Sequence, residues 1–408
     1  MKYTLFDSAL YVRGPAKVYI WSGACSINFR ECRESDFLVI PQSRSVDLIP
    51  TPRCEVEVEE GYKKEVEHPH YTKELPDIVE SLKKAQKIMV VGNADSGKTT
   101  KILQIANILF DQNKKVGIVD ADIGQSDIGT PTTISYGVLD SKKIFMHEIS
   151  EKKSYFIGST NPKKHLLEMV LGTKKMVDFA LSDGCDYVLI DTTSLNTEKK
   201  GRMLKRAKIE LIEPDIIVAI QKENEISHLL SAYKNVVNIK TYENIGTKSN
   251  DERFLLRDLI WKKYFESTKE HTISIKDVKF LNSLFKSGRR LSISERQFLS
   301  EMIGTKVVYA EHIPEGYYVV VDGSPTKTYY EIYAIHKNKF EEGLLIGLLD
   351  NNFEYIDIAI VKEIDFKRDT MVIISTRDSI DSVAFIMVGD IRLSPKGDEI
   401  GKVKAGTI

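Results

Sequence analysis

Short apolar runs separated by turn residues mark the first sixty residues of the chain. Three of these runs, Val18–Ile20, Phe37–Ile40 and Val46–Ile49, contain β-branched residues and are separated by stretches with glycine or proline. This pattern predicts a small β domain. The charged stretch over residues 59–70 closes this domain, and Pro69 and Pro76 predict a linker there.

Strands and helices alternate in the middle of the chain, from about residue 75 to residue 266. The predicted strands are Lys87–Val91, Val116–Asp120, Tyr187–Asp191 and Ile216–Ile220, and the clearest predicted helices are Thr99–Phe110 and His165–Leu181. Continuous apolar strands separated by helices are typical of a parallel sheet that is covered on both faces. The middle region is therefore predicted to have an α/β fold.

From about residue 271 the pattern becomes rich in strands again. Two polar helical stretches are predicted first, around Val278–Lys286 and Ser294–Glu301. The strands predicted after them are Val307–Tyr309, Tyr317–Val321, Leu344–Leu349, Ala359–Val361, Met371–Ser375 and Ala384–Val388. Regular turn signals between them favour a β barrel or sandwich. We therefore expect three domains: an N-terminal β domain (1–70), an α/β domain (71–268) and a C-terminal β-rich domain (269–408).

A phosphate-binding loop follows the first strand of the predicted parallel sheet. The sequence matches GxxxxGK[ST] and opens a predicted helix, which is the arrangement of a P-loop NTPase domain. The residues predicted to bind the nucleotide are Gly92, Asn93, Ala94, Asp95, Ser96, Gly97, Lys98, Thr99 and Thr100. Lys98 would reach the β- and γ-phosphates, and Thr99 would offer its hydroxyl to Mg²⁺. The sequence therefore predicts nucleoside triphosphate binding.

Acidic residues follow two other predicted strands. Asp120 and Asp122 come at the end of the second strand, and Asp191 ends the third. Strand ends on the carboxyl side of a parallel sheet face the ligand crevice, so an aspartate there can hold Mg²⁺ or accept a proton. Helix capping is the alternative role for one of the first two acids and for Asp191.

Two basic segments stand out later in the α/β region. Six Lys and Arg residues crowd the stretch 199–208, and a solvated helix face is the favoured interpretation. Ser249 and Glu252 have capping-box spacing, which predicts a helix start. Arg253 and Arg257 would then lie on one helix face, as a lid over transferring phosphate or as an exposed pair.

Composition and charge mainly exclude function classes. The 58 Lys and Arg residues balance 59 Asp and Glu residues, and the net charge of −1 disfavours a long grip on nucleic acid. Four cysteines without a CxxC pair argue against a disulfide framework or zinc ribbon and favour a cytoplasmic location. We expect no signal peptide and no membrane span. Residues 221–224 read Gln-Lys-Glu-Asn, where a GTPase would carry Asn-Lys-x-Asp, so guanine specificity is not expected.

These segments together resemble the family of 5′-hydroxyl polynucleotide kinases related to the pre-mRNA-cleavage and tRNA-splicing kinase and to the rRNA-processing kinase. The prokaryotic and archaeal type of this family fits better than the eukaryotic type. Six segments carry the resemblance in register: Val91–Thr100, Asp120–Gln125 with its Asp-x-x-Gln element, Ile157–Pro162, Ile190–Ser194, Leu204–Asp215 and Arg253–Phe265. The β-rich regions on both sides of the P-loop domain are also similar to the family's architecture.

The resemblance implies ATP-dependent transfer of phosphate to the 5′-hydroxyl end of RNA, with DNA as an alternative substrate and other RNA-processing proteins as partners. Asp122 would be the general base, and Lys98, Arg253 and Arg257 would complete the catalytic set. Mg²⁺ would be held by Thr99 and Asp122. The implied substrate-binding residues are Gln125, Ser159, Thr160, Thr192, Thr193 and Ser194.

One position departs from the family pattern. Known members have a glycine and an aromatic residue where this chain has Ser194 and Leu195. Leucine cannot stack on a terminal base, so the preference between RNA and DNA stays open. Two other functions remain as alternatives: a non-catalytic ATP-binding subunit of an RNA-processing complex, and a nucleotide-driven switch or small-metabolite kinase. The neutral net charge favours a kinase that binds only the end of a strand.

Overall fold

A computed structural model describes residues 1–67, 71–241 and 248–403 of the 408-residue chain. The chain forms two compact units. Unit 1 contains residues 1–130, 134–154 and 165–256, and unit 2 contains residues 131–133, 155–164 and the chain from Arg257 onward. The predicted β domain therefore shares unit 1 with most of the α/β region. The division into residues 1–70, 71–268 and 269–408 stays a prediction.

Unit 1 begins with a five-stranded antiparallel sheet. Its strands are β1 (Lys2–Leu5), β2 (Ser8–Ile27), β3 (Arg30–Arg33), β4 (Phe37–Ile40) and β5 (Ser45–Glu67). Their order is β1-β5-β2-β3, with β4 also paired to β2. Alternate residues such as Leu10, Val12, Val56 and Val58 are fully buried in its core, which confirms the predicted β structure.

The charged stretch is part of the last strand of this sheet, β5, over residues 59–67. The linker predicted at Pro69 and Pro76 is wrong at Pro76, which lies inside the helix Tyr71–Ser81. Charged side chains are tolerated in this part of β5 because they are exposed to solvent, for example at Glu59, Glu60, Lys64 and Glu65. Residues 68–70 lie outside the described part of the chain.

The α/β region follows and contains the predicted strands and helices. Its elements are α1 (Tyr71–Ser81), β6 (Lys87–Gly92), α2 (Lys98–Asp111), β7 (Val116–Ala121), β8 (Thr133–Val138), β9 (Glu151–Phe156), α3 (Leu166–Ser182), β10 (Tyr187–Thr192), α4 (Glu198–Ile212), β11 (Ile216–Gln221), α5 (Ser227–Leu230), β12 (Val236–Lys240) and α6 (Asn250–Tyr264). The two strands β8 and β9, which come directly after β7, were not predicted. Two 3₁₀ turns occur at Met146–Glu148 and Pro162–Lys164.

The seven strands of this region form one sheet in the order β12-β11-β6-β10-β7-β8-β9. The pairs from β12 to β7 are parallel, which confirms the predicted parallel sheet, whereas β8 runs antiparallel to β7. In this register Asp191 of β10 lies opposite Val90 of β6 and Asp120 of β7. The end of the P-loop strand and the two acidic strand ends therefore meet at one edge.

Two further sheets accompany the helix at Ile293–Ile303 in the part of unit 2 that the structure describes. Its elements are β13 (Lys269–Ser274), β14 (Lys279–Leu281), β15 (Arg289–Arg290), α7 (Ile293–Ile303), β16 (Lys306–Ile313), β17 (Gly316–Asp322), β18 (Ile332–Lys337), β19 (Leu344–Leu349), β20 (Tyr355–Asp365), β21 (Thr370–Ser375), β22 (Phe385–Leu393) and β23 (Glu399–Lys402). The larger sheet has the order β13-β21-β20-β19-β22-β14, with β23 on β22, and the smaller has the order β15-β16-β17-β18. Residues from both sheets, such as Tyr318 and Ile346, share one hydrophobic core.

The helix predicted around Val278–Lys286 is wrong. That segment contains the short strand β14 and a turn, whereas the second predicted helix is confirmed as α7. Asn282 and Lys286 have φ angles of +55° and +67°, in a region that a right-handed helix does not use. Phe285 between them is buried in the core. Within residues 1–67, 71–241 and 248–403, no helix combines the length and the apolar character that a membrane crossing requires.

Candidate active site

The P-loop connects β6 to α2 by a tight turn. Asp95 and Gly97 have φ angles of +56° and +83°, and Gly97 is the N-cap of α2. A Cβ on Gly92 would lie 2.5 Å from Ser96 Oγ and 2.7 Å from the carbonyl oxygen of Ile220, so this close approach requires glycine. The turn ends at the N-terminus of α2, where backbone N–H groups and the helix dipole favour a bound phosphate.

Lys98 is buried at the start of α2, and its Nζ donates a hydrogen bond of 2.8 Å to the carbonyl oxygen of Asn93. Burial lowers its pKa, and the carboxylates of Asp191 and Asp122 oppose that shift. A phosphate oxygen would be a stronger, charge-assisted partner for this ammonium group than the neutral carbonyl. The side chain is therefore positioned to exchange one partner for the other.

Thr99 and Asp191 join the P-loop to the neighbouring strand. Thr99 Oγ1 donates a hydrogen bond of 2.8 Å to Asp191 Oδ2. Burial raises the pKa of Asp191 to about 6, although the charge of Lys98 lowers it. Asp191 Oδ1 is buried, and no described residue gives it a hydrogen bond. The carboxylate therefore faces the P-loop threonine rather than capping α4, whose N-cap is Thr197.

The two aspartates at the carboxyl end of β7 have different environments. Asp120 is buried, and its Oδ2 accepts hydrogen bonds from the backbone N–H groups of Asp127 and Ile128 at 2.6 and 3.0 Å. Burial and the charge of Asp191 raise its pKa well above the usual range. Asp122 is half-buried, and its Oδ1 accepts a hydrogen bond of 3.2 Å from Gly124 N. Asp120 therefore takes the loop-capping role, and Asp122 is the more accessible acid.

The residues present fit a magnesium ion. Mg²⁺ prefers hard oxygen ligands and is usually held by one or two carboxylates together with substrate phosphates. Asp191 offers a buried carboxylate oxygen without a partner among the described residues, and Thr99 offers the adjacent hydroxyl. The resemblance implied Thr99 and Asp122 as metal ligands, and the contacts of Asp191 make this strand-end acid a third candidate. The position of Asp191 at the end of a buried strand was the signal that pointed to it.

The end of β10 and the residues that follow it are held in place by hydrogen bonds to the neighbouring strand β6 and to α4. Thr192 Oγ1 donates to the carbonyl oxygen of Val90 at 2.7 Å, so its hydroxyl is engaged within the sheet. Lys205 Nζ donates to the carbonyl oxygen of Thr193 at 2.5 Å. Ser194 is half-buried next to these two threonines. Substrate binding by Thr192, Thr193 and Ser194 stays a prediction.

The interpretation of residues 199–208 as a solvated face is wrong for two of the six basic residues. Lys205 and Lys208 are 1% and 0% exposed, whereas the other four are exposed. They lie three residues apart, on the apolar face of α4 that also carries Leu204 and Ile209. Sequence pattern alone does not separate buried from exposed lysines on a basic helix, because this long side chain suits both environments.

Helix α6 begins with the predicted capping box and carries Arg253 to the P-loop. Ser249 Oγ accepts a hydrogen bond of 3.1 Å from Glu252 N, and Glu252 Oε2 accepts one of 2.8 Å from Ser249 N. Arg253 Nη2 forms an ion pair of 2.5 Å with Asp95 Oδ2. The carbonyl oxygen of Arg253 accepts a hydrogen bond of 3.3 Å from Gln125 Nε2. The structure therefore brings three predicted site residues together in unit 1.

Three other predicted site residues belong to unit 2. Ser159 is buried, and its Oγ donates a hydrogen bond of 3.0 Å to Asp390 Oδ2. Thr160 Oγ1 accepts a hydrogen bond of 3.2 Å from Lys402 Nζ. Arg257 forms an ion pair of 3.7 Å with Glu399. Their predicted roles toward the substrate stay predictions.

Comparison with known proteins identifies the family. The family model described as "mRNA cleavage and polyadenylation factor CLP1 P-loop" matches residues 92–267. The polyribonucleotide 5′-hydroxyl-kinase of Methanocaldococcus jannaschii is 34% identical over 356 residues, which cover 83% of this chain and 98% of that relative. The chain belongs to the polyribonucleotide 5′-hydroxyl-kinase family. The resemblance seen in the sequence, including its archaeal branch, is thereby confirmed.

Two further comparisons describe the family more fully. The polyribonucleotide 5′-hydroxyl-kinase of Pyrococcus furiosus is 34% identical over 325 residues, which cover 79% of this chain and 91% of that relative. The solved structure of wild-type Clp1p in complex with Pcf11p has a TM-score of 0.67, at 12% identity, over 96% of this chain and 97% of that one. This second likeness concerns the fold alone. The predicted α/β fold, with a P-loop domain flanked by β-rich regions, is confirmed for this kinase family member.

Proposed function

We propose that this chain transfers the γ-phosphate of ATP to the 5′-hydroxyl end of RNA. One observation carries the proposal. Five side chains lie in or beside the P-loop: Lys98, Thr99, Asp122, Asp191 and Arg253. They belong to a chain that aligns with 98% of the Methanocaldococcus jannaschii kinase. Phosphoryl transfer needs positioning and charge neutralisation more than covalent chemistry. Each of these five side chains supplies one of the two.

Nucleotide binding begins with the P-loop. The turn from Gly92 to Thr100 holds the phosphates at the N-terminus of α2. Lys98 leaves the carbonyl oxygen of Asn93 and bonds a phosphate oxygen instead. Arg253 is available from the other side, because its guanidinium group already lies at Asp95 of the loop. Both cations then compensate the charge of the triphosphate.

Magnesium is the proposed cofactor. Thr99, Asp122 and Asp191 are the residues that would hold Mg²⁺, and when bound the ion neutralises charge on the β- and γ-phosphates. Asp191 suits this role because its Oδ1 is buried with no hydrogen bond from any described residue. The hydrogen bond from Thr99 keeps the other oxygen of the carboxylate at a fixed orientation.

Transfer itself is a single in-line displacement. The 5′-hydroxyl oxygen attacks the γ-phosphorus of ATP, and the bond from that phosphorus to the β–γ bridging oxygen breaks. Asp122 takes the proton of the hydroxyl group, and ADP leaves with the bridging oxygen. Asp122 suits the base role better than Asp120, because backbone N–H groups already occupy the Asp120 carboxylate.

The remaining predicted residues complete the proposal. Arg257, four residues after Arg253 on α6, would join it as a second lid cation that stabilises the transferring phosphoryl group. Gln125, Ser159, Thr160, Thr192, Thr193 and Ser194 would contact the terminal nucleotide. DNA ends are included as an alternative substrate. We also include association with other RNA-processing proteins and a cytoplasmic location, which the four free cysteines favour.

An oligonucleotide kinase assay tests this function. The protein is incubated with ATP, Mg²⁺ and a short 5′-hydroxyl RNA or DNA, and the product is examined for a 5′-phosphate. We expect phosphorylated RNA. Normal ATP binding with both oligonucleotides unchanged would reject the kinase and support the non-catalytic subunit. Turnover of ATP that is indifferent to oligonucleotides would support a switch or small-metabolite kinase.

Two variants make the assay specific. Lys98→Ala should abolish transfer because it removes the phosphate-binding cation. Asp122→Ala should abolish transfer while ATP still binds, because only the proton acceptor is lost. Asp120→Asn is the matched comparison for the neighbouring acid, and its main expected effect is lower stability, since its carboxylate caps the loop. An active Asp122→Ala variant would reject the assigned base.

A further inference from the structure

A short loop of the N-terminal sheet extends toward the α/β region. It connects β4 to β5 over residues 41–44, and Ser43 in it is buried with a φ angle of +59°. Arg44 N donates a hydrogen bond of 3.1 Å to the carbonyl oxygen of Pro41, and Gly14 N donates one of 2.9 Å to the carbonyl oxygen of Arg44. A Cβ on Gly14 would lie 2.2 Å from the carbonyl oxygen of Pro41, so this contact requires glycine. The backbone of the loop is therefore held firmly by the sheet.

Arg44 reaches from this loop to Asp127, in the loop that follows β7. Its Nη1 donates to Asp127 Oδ2 at 3.2 Å, and its Nη2 donates to Asp127 Oδ1. The side chain of Asp127 is only 6% exposed, and that of Arg44 is 24% exposed. A two-point contact between a guanidinium group and a carboxylate fixes direction as well as distance, and partial burial protects it from screening by salt. The pair therefore ties the N-terminal sheet to the loop after β7.

The loop after β7 is organised around the carboxylate of Asp120. Its Oδ2 accepts hydrogen bonds from the backbone N–H groups of Asp127 and Ile128 at 2.6 and 3.0 Å. Its Oδ1 accepts a hydrogen bond of 3.1 Å from the backbone N–H group of Asp122. One carboxylate thus joins the proposed base to the residue that Arg44 holds. A continuous series of contacts leads from Arg44 to the backbone of Asp122.

The same loop of the N-terminal sheet also lies at the start of α6. Ser43 Oγ is 3.4 Å from Glu252 Oε1, and the next residue of the helix is Arg253 of the proposed lid. In the loop after β7, Gln125 Nε2 donates a hydrogen bond of 3.3 Å to the carbonyl oxygen of Arg253. The loop at residues 41–44 therefore contacts both of the segments that carry the proposed base and the first lid arginine.

The position of the ion pair matters for the transfer step. A base must lie within hydrogen-bonding reach of the 5′-hydroxyl group, and a displacement of about 1 Å can cost roughly 100-fold in rate. Without Arg44, the nearly buried carboxylate of Asp127 would lose its guanidinium partner, and the loop would have to open to hydrate it. The hydrogen bonds to Asp120 would transmit this movement to Asp122.

We propose that Arg44 is a positioning residue of the phosphoryl-transfer site, through which the N-terminal β sheet holds Asp122 in place for proton transfer. This inference rests on the proposed function and deepens it. Arg44 acts through Asp127 and Asp120, and it does not itself touch the nucleotide or the RNA. The N-terminal sheet thereby contributes to catalysis, although none of the site residues predicted from the sequence belongs to it.

The first test compares Arg44→Met with Arg53→Met. Arg53 lies on β5 and forms an exposed ion pair with Glu55, so it is the matched control. At a temperature at which circular dichroism shows both variants to be folded, Arg44→Met should lower kcat roughly 30-fold and change KM for ATP by less than about threefold. Arg53→Met should leave both quantities unchanged. An unchanged kcat in Arg44→Met would overturn the proposal, and so would a loss of ATP affinity, because Arg44 would then act on the nucleotide.

A double-mutant cycle tests the route through Asp127. Asp127→Asn removes the charged partner and should itself lower kcat. If Arg44 acts through Asp127, adding Arg44→Met to this variant should lower kcat by less than about threefold further. Multiplicative losses would overturn the proposal. If Arg44→Met does not fold, Arg44→Lys takes its place, because it keeps the charge and loses the two-point contact. A kcat reduced about three- to tenfold in Arg44→Lys supports the proposal, and an unchanged kcat overturns it.

Hydrogen exchange keeps this test separate from the kinase assay. Without nucleotide, backbone N–H groups of the loop after β7 are protected by their hydrogen bonds to Asp120. Arg44→Met should raise the exchange rate of peptides from this loop at least about tenfold, whereas peptides from α2 and β10 should exchange as in the wild type. This result supports the positioning role even if the wild type fails to phosphorylate RNA. Equal exchange in the variant and the wild type, or faster exchange throughout the chain, would overturn it.

Discussion

Asp191 is buried at the edge of the sheet, and its ionisation costs stability when no ligand is bound. Burial raises its pKa to about 6, so between about pH 4 and pH 6 the folded chain binds this proton more tightly than the unfolded chain. The free energy of unfolding should therefore fall as the pH rises through this window, by about 2–3 kcal/mol at most. Asp191→Asn should lose this slope, be more stable at neutral pH, and lose kinase activity at least about 100-fold.

Urea unfolding without nucleotide or Mg²⁺, at about pH 5 and about pH 7.5, measures the difference between this variant and the wild type. Asp178→Asn, on the exposed face of α3, is a suitable control. A stability difference that is the same at both pH values would contradict the assignment of the raised pKa to Asp191.

Leu195 stands at a position where the family resemblance implies an aromatic residue. It is half-buried directly after Ser194, in the segment that Lys205 holds in place. Stacking on an aromatic ring contributes about 1–3 kcal/mol per base, so Leu195→Trp should lower KM for RNA roughly five- to 100-fold. Steady-state kinetics with oligonucleotides that differ only in the 5′-terminal base would measure this change in KM. Leu195→Met is the control, and equal KM values for the two variants would contradict a base contact at this position.

Single residues were predictable where the pattern gave them a distinct place in the chain. The P-loop and the strand-end acids could be found because their positions follow from strand polarity. The strand pattern alone could not separate Asp120 from Asp122, although the family resemblance singled out Asp122. Only the fold shows that the N–H groups of Asp127 and Ile128 occupy the first carboxylate. It also placed Lys208 on a solvated face, since burial of a lysine depends on distant residues.

At the scale of elements, Glu252 fastens the start of α6. Its Oε2 accepts from Ser249 N, and its Oε1 accepts a hydrogen bond of 2.8 Å from Arg13 Nη2 on β2. These contacts lower the pKa of Glu252, so their stabilisation is present at neutral pH and is lost as the pH falls through that lowered pKa. Glu252→Ala should lower the urea midpoint and reduce kcat roughly fivefold, because the adjacent Arg253 is held less firmly at Asp95.

Asp251→Ala is the matched control for this helix. Asp251 lies in the same first turn but is exposed, so its removal should leave kcat and the urea midpoint nearly unchanged. Equal losses in the two variants would show that general charge in the first turn, and not the contacts of Glu252, holds the helix.

Local signals decided which elements could be predicted. The capping box at Ser249 gave the start of α6, and apolar runs gave the strands of the parallel sheet. The helix predicted at Val278–Lys286 was wrong, because the apolar spacing of this stretch is compatible both with a helix and with a strand followed by a turn. The two residues of this stretch with positive φ are an asparagine and a lysine. Neither indicates a left-handed conformation from sequence as strongly as a glycine does.

At the scale of the whole molecule, the order of strands in the parallel sheet could not be predicted from the sequence pattern. β10 lies between β6 and β7, although it follows β7 by more than sixty residues, and this crossover brings Asp191 beside the P-loop. Hydrophobic runs predict that strands exist but carry no information on which strands are neighbours. The grouping of the N-terminal sheet with the α/β region in unit 1 likewise depends on tertiary packing.

The net charge of the whole chain bears on how many phosphates of the RNA the protein contacts. With a net charge of −1, the chain can supply few cations to the polymer beyond those near the P-loop. Each neutralised phosphate of a single strand contributes about −0.7 to the slope of log affinity against log salt, so a kinase that grips two to four phosphates should show a slope of roughly −1.5 to −3. KM for RNA should also change little as the oligonucleotide grows from about 4 to about 20 nucleotides.

Steady-state kinetics on a length series of 5′-hydroxyl RNA, at about 50 and about 200 mM salt, measures both quantities. Oligonucleotides with the same 5′-terminal sequence keep the end contacts constant, so any change in KM reports contacts further along the strand. A slope steeper than about −5, or a KM that falls more than tenfold with length, would require a basic surface along the polymer. The balanced charge of this chain argues for the opposite result, because a local group of cations at a 5′ end needs no excess of positive charge elsewhere.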